Sequence, residues 1–175
     1  MRVLIDFQGA QGFGVGRGVG RYTREFSRAL FSLKNSELDL FFLVNLSIRE
    51  NLSDLLDYIG MFCPRDRIKG FFVPETGCLG TDSWRKKASF IRGLKIAEVN
   101  PDLILLTSLF ESVGSLIVSD SNAFKCKQAV ILYDLIPFEE PEIYLTDLKE
   151  RAHYDKSINQ LLSSDLILTI SEYTK

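Results

Sequence analysis

Val3-Leu4-Ile5-Asp6-Phe7 runs into Gly9-Ala10-Gln11-Gly12-Phe13-Gly14-Val15-Gly16-Arg17-Gly18-Val19-Gly20-Arg21, and this junction decides the fold. An apolar strand leads into six of the chain's 12 glycines, and a helical pattern follows. Residues without a Cβ let the backbone turn sharply and come close to a ligand, and the helix behind them offers unpaired N–H groups and a positive dipole end. The alternative is a glycine-rich loop with no ligand. Neither standard nucleotide motif is present. No glycine start has partners at both i+2 and i+5, as a dinucleotide fingerprint requires, and no Gly-Lys is followed by Ser or Thr.

Working outward, apolar runs alternate with segments of helical period. Val3–Phe7, Leu38–Val44, Ile68–Val73, Leu103–Thr107, Ala129–Tyr133 and Leu166–Ile170 read as six strands. Helices are expected over Gly20–Leu33, burying Tyr22, Phe26, Ala29, Leu30 and Leu33, and over Ser53–Ile59, with Ser53 as cap. A third, from Asp82 as cap to Glu98, turns Trp84, Ala88, Ile91 and Leu94 to the sheet, while Arg85, Lys86, Lys87, Arg92 and Lys95 read as solvated. Ser112–Ser119 and Asp147–Ser163 complete the helices. Strands that are apolar throughout are buried on both faces, which predicts an α/β fold: a mostly parallel sheet with helices on both sides.

Ligands of such sheets bind beyond the carboxyl ends of the strands, where strand order reverses. Three loops should meet there: the glycine stretch, Ser108–Glu111 and Asp134–Pro141. Tyr133 and Asp134 put a phenol and a carboxylate at a strand mouth; Asp134 either meets a substrate hydroxyl or caps a turn before Pro137. Ser108 and Glu111 either line the same cleft or form a capping box. Arg21 faces an anion or lies in solvent.

Composition limits the chemistry. At 175 residues, 46% hydrophobic and 25% charged, the chain has the length and make-up of one soluble globular domain. A net charge of -2 gives no footprint for nucleic acid. Cys63, Cys78 and Cys126 are odd in number and in no CxxC pattern, which suits free thiols in a reducing cytosol. A single histidine, His153, argues against a zinc centre, and no metal or other cofactor is expected. Met1-Arg2 leads straight into the acid-interrupted strand, so neither a signal peptide nor a spanning helix is expected.

These residues resemble the retaining glycosyltransferases of the GT-B fold (family 4, group 1), and their mannosyltransferase-like members in particular. The likeness lies in Arg2–Gly9, Gly18–Thr23, Asn100-Pro101-Asp102, Ser108–Glu111, Leu132–Pro137, Pro141–Leu145 and Ser164–Glu172, in the family's order. It implies two Rossmann-like domains facing across a cleft, with residues 1–175 forming the N-terminal, acceptor-side domain and a C-terminal donor-binding domain absent. Carried over by position, Gly16, Gly18, Gly20 and Arg21 face the donor's diphosphate and sugar. Ser108 and Glu111 bind the acceptor, and Tyr133 and Asp134 stand at the catalytic centre. Many relatives have histidine where Tyr133 stands.

The reaction implied is transfer of a sugar from a nucleoside diphosphate sugar, GDP-mannose being favoured, to a glycan or lipid-linked acceptor in polysaccharide biosynthesis. It proceeds with retention and without a metal, in the cytoplasm or at the inner face of the membrane. The family's paired glutamates, with seven residues between them, belong to the missing half; Glu142 and Glu150 match that spacing by coincidence. The chain alone should then be inactive, with a mobile glycine loop. Rival classes are a non-catalytic interaction domain on the same scaffold and a nucleotide-binding oxidoreductase domain.

Overall fold

The computed structural model describes residues 1–33, 36–73, 81–110, 116–119 and 126–175. Its strands are β1 (Arg2–Asp6), β2 (Asp39–Asn45), β3 (Ile68–Phe71), β4 (Leu103–Leu106), β5 (Lys127–Leu132) and β6 (Leu166–Thr169). They form one all-parallel sheet in the order β3-β2-β1-β4-β5-β6. Three long helices α1 (Gly18–Ser32), α3 (Asp82–Val99) and α6 (Leu148–Leu162) and the shorter α2 (Leu52–Gly60) flank it. This is the Rossmann-like α/β architecture expected from the alternation of apolar runs and helical segments.

The two faces are built by strict alternation along β1. Val3 and Ile5 join Leu40, Phe42 and Val44 under α1 and α2, where Leu55 and Ile59 are buried. Leu4 joins Leu43, Ile104 and Leu106 under α3, where Trp84, Ala88 and Ile96 are buried, and α6 adds Leu161 to this face. A strand covered on both faces gains nothing from polar alternation, which is why these runs read as continuously apolar. The order reverses between β1 and β4, so the carboxyl ends of these two central strands diverge into loops at the switch point.

Several boundaries and faces differ from the sequence expectation. β1 stops at Asp6, not Phe7, because the Asp6 carboxylate accepts the Gln8 N–H at 3.1 Å and turns the chain into a 3₁₀ turn, Phe7–Ala10. In α1, Tyr22, Phe26 and Leu30 are half-buried as expected, but Ala29 is exposed and Leu33 is 69% exposed. The closest contacts come instead from Gly20, Thr23 and Ser27, since small residues let this helix approach the turns before it.

In α3 the buried stripe runs Trp84, Ala88, Arg92, Ile96 and Val99, leaving Ile91 half-buried and Leu94 58% exposed. Its cap is Thr81, whose hydroxyl accepts the Trp84 N–H, and not Asp82. Asn51, in the left-handed conformation, precedes α2, so Ser53 lies inside the first turn. The helix expected over Ser112–Ser119 falls partly outside the described residues, and Leu116–Ser119 is not helical. The segment expected as a loop after β5 contains two single turns, α4 (Ile136–Glu139) and α5 (Pro141–Tyr144), each with proline at its start, where the fixed φ suits a helix. Among the described residues no helix is long and apolar enough to cross a membrane.

Candidate functional site at the switch point

Beneath the site lies a polar layer that the apolar pattern conceals. Arg92, fully buried on α3, donates from Nη2 and Nε to the Asp6 carboxylate at 2.6 and 3.1 Å. Gln8 Nε2 donates to the same carboxylate at 3.0 Å and to Val118 O at 2.9 Å. Gln8 Oε1 accepts from Val118 N and Asn45 Nδ2. Gln11 closes the layer with a reciprocal pair to the Asn45 backbone, at 2.9 Å from Asn45 N and 2.8 Å to Asn45 O. Thr107 at the end of β4 donates to Asp6 O at 2.6 Å. All six groups, Asp6, Gln8, Gln11, Asn45, Arg92 and Thr107, are at most 3% exposed. In so dry a setting each bond is strengthened and each missing partner is costly, so the layer fixes one geometry for the ends of β1, β2 and β4.

The glycine stretch divides on top of this layer. Its inner half, the turns Phe7–Ala10 and Gly12–Gly14, is packed. A Cβ on Gly14 would lie 2.2 Å from Gly9 O, and one on Gly20 would lie 2.0 Å from Gly14 O. Only hydrogen fits at either place. Around Gly16 and Gly18, by contrast, a Cβ would meet nothing within 4 Å. This outer half opens onto a groove of about 520 Å³ lined by Gly16, Arg17, Gly18, Arg21, Arg24 and Tyr58. The guanidinium of Arg24 lies over the Tyr58 ring at 5.4 Å. Three arginines and the open N-terminus of α1, against one carboxylate, Glu25, leave this end of the molecule electropositive.

The expected site residues therefore separate. Gly16, Gly18 and Arg21 line the arginine groove on the α2 side of α1, whereas Gly20 is a packing residue and not part of an open loop. Tyr133 lies on the other side of α1, against Tyr22 and Thr23. Ser108 and Tyr133 follow the last β4–β5 pair, Leu106↔Val130, by two and three residues, so both stand at the mouth of adjacent strands. Tyr133 is half-buried, edge-on to Tyr22 at 5.6 Å, with its hydroxyl 3.3 Å from Thr23 Oγ1. Asp134 is exposed and accepts the Ile136 N–H at 3.3 Å, so it does cap the turn before Pro137. Glu111 lies outside the described residues. Glu142 and Glu150 are both exposed, one in α5 and one in the first turn of α6.

Sequence reasoning missed Arg92, Gln8, Gln11 and Asn45, and took Arg92 for a solvated charge. A signal existed: Asp6 is the one acidic residue in an otherwise apolar central strand, and a buried carboxylate demands a cation. The sequence does not say which arginine supplies it. Cys63 is buried, and burial first of all pushes its thiol up to about 11, which suits an inert structural cysteine. Among the described residues no cluster of histidine, cysteine or carboxylate could hold a metal ion.

No protein-family profile matches the chain. The serotype-specific mannosyltransferase WbdA of Escherichia coli, however, is 27% identical over 177 residues, covering 98% of this chain. The chain is similar to a glycosyltransferase. It spans only 21% of that relative's length, about a fifth. The match runs through the glycine stretch, the β4 mouth and the β5 mouth alike, and so supports a glycosyltransferase-like role in general.

Proposed function

We propose that this chain is the N-terminal, acceptor-side domain of a retaining GT-B glycosyltransferase that transfers a hexose, mannose by preference, from a nucleoside diphosphate sugar. The observation that carries this is the division of the switch point into two chemistries on either side of α1. The arginine groove at Gly16–Arg24 suits the diphosphate of a donor held mainly by a second domain. The hydroxyl and carboxylate groups of Ser108, Tyr133 and Asp134 suit an acceptor glycan or lipid-linked sugar. The chemistry of this reading is attack of the acceptor on an oxocarbenium-like donor from the face the diphosphate leaves. Backbone N–H groups and arginines oppose the charge that develops on that leaving group. Work on a nucleotide sugar in the cytoplasm, or at the inner face of a membrane carrying the acceptor, follows from this assignment.

The test is a ligand-observed NMR titration of the 175-residue chain with α-mannobiose and, separately, GDP-mannose. Mannobiose should bind, GDP-mannose should bind more weakly, and Asp134→Ala should weaken mannobiose about tenfold, the worth of one good hydrogen bond. Turnover of GDP-mannose by this chain alone would overturn the assignment of a separate donor half.

A further inference from the structure

One buried polar group near the β5 mouth is left without employment. Tyr154, on α6, is 7% exposed, and its hydroxyl is enclosed with no hydrogen-bond partner among the described residues. Its ring packs on Phe110 at 4.9 Å and 38°, two residues beyond Ser108. Burial, and then the nearby Asp134 carboxylate, push the phenol up to about 12, so it stays an O–H donor throughout the neutral range. The Phe138 backbone lies beside the oxygen without reaching hydrogen-bond geometry, and its N–H is already given to Leu135 O at 2.9 Å.

An enclosed hydroxyl with its bond unmade destabilises the fold, and native proteins keep few of them. Such a group calls for an acceptor from outside the chain, an ordered water or a ligand. What stands over it is α4, a single turn with no buried residue, whose Ile136 and Phe138 are 42% and 59% exposed. One exposed hydrogen bond, from Tyr173 Oη to Glu139 at 2.8 Å, and little packing hold that turn down, so its outward displacement costs little.

The surroundings select the ligand class. The exposed charges beside α4 are carboxylates, Asp134, Glu139, Glu140 and Glu142, which repel phosphates and other anions. Beside the hydroxyl lies the ring of Phe110, which packs on Tyr154 itself. An aromatic ring, one neutral donor and one carboxylate acceptor together match a neutral polyol, which offers a C–H face to the ring and hydroxyls that both give and accept. We infer that Tyr154 is a ligand-binding residue, donating its O–H to a hydroxyl oxygen of a neutral saccharide whose neighbouring hydroxyl donates to Asp134, with α4 displaced outward. This rests on the acceptor-side assignment of the β4–β5 mouth.

Tyr154→Phe is the decisive variant, because it keeps the ring against Phe110 and removes only the oxygen. Titrated with α-mannobiose as the whole chain, it should bind about tenfold more weakly, while its melting temperature stays level or rises. Unchanged mannobiose affinity in Tyr154→Phe, alongside a loss in Asp134→Ala, would remove Tyr154 and leave the acceptor-side assignment standing. A melting temperature lowered by several degrees would show the hydroxyl to be structural, and would overturn the inference too. Failure of the unaltered chain to bind mannobiose at all would overturn both.

Discussion

The two halves of the glycine stretch contain glycine for opposite reasons. Between Gly9 and Gly14 the backbone is pressed against itself and against α1, and the missing side chains are space already filled. Between Gly16 and Gly18 the missing side chains are space left open, and arginines surround it. The polar layer of Asp6, Gln8, Asn45 and Arg92 holds the inner half, so the outer half can present its backbone from a fixed base. Glycine content alone therefore identifies no ligand loop; only the half without neighbours is available to one.

Substitution can break that contrast, and the largest effect is expected beneath the inner half. Arg92→Ala leaves Asp6 buried and unpaired, and should cost about 3–5 kcal/mol in chemical denaturation, against less than about 0.5 kcal/mol for the exposed Arg21→Ala. A smaller loss for Arg92→Ala would mean that water reaches the Asp6 carboxylate. Next in size, Gly20→Ala forces a Cβ onto Gly14 O and should destabilise by about 1–3 kcal/mol. Gly18→Ala, in the first turn of the same helix with open space around it, should be neutral or stabilise by up to about 1 kcal/mol. Equal melting temperatures for the two alanine variants would erase the distinction between the halves.

The smallest effect lies at the far end of the sheet and sharpens the comparison between enclosed and open charge. Asp39 is also paired with arginines, Arg2 and Arg67, but its side chain is 37% exposed. Burial works to raise its pKa, yet hydrogen bonds and charge from Arg2 and Arg67 outweigh it and hold the carboxyl below its ordinary value. A depressed folded-state pKa means stability present above the unfolded value and lost as pH falls through the folded one. Stability should thus decline below about pH 4, by well under 1 kcal/mol given solvent screening, and Asp39→Asn should remove that part of the decline. An acid transition unchanged in Asp39→Asn would assign it to other carboxylates.

Much of the fold was legible because its cause is local or periodic. Two-sided burial makes a strand apolar throughout, so six runs implied six strands in a mostly parallel sheet. Asp147 was legible as the start of α6 because a cap acts within three residues, here on the N–H groups of Lys149 and Glu150. The α3 face was misread because hydrophobicity places Leu94 inward and Arg92 outward, whereas Arg92 is drawn in by a carboxylate 86 residues away. The candidate site was partly legible: Ser108, Tyr133 and Asp134 could be placed at strand mouths by counting, but Tyr154, on a helix three elements further along, could not.

The sequence by itself determined the α/β class, the parallel sheet and the glycine-rich turn into the first helix, since these follow from the period of burial and the absence of Cβ atoms. Only the tertiary structure decided which glycines are packed and which are open, which arginine answers Asp6, and that α1 separates the arginine groove from the Tyr133–Asp134 mouth. Those are contacts between residues tens of positions apart, and no local pattern in the chain encodes their pairing.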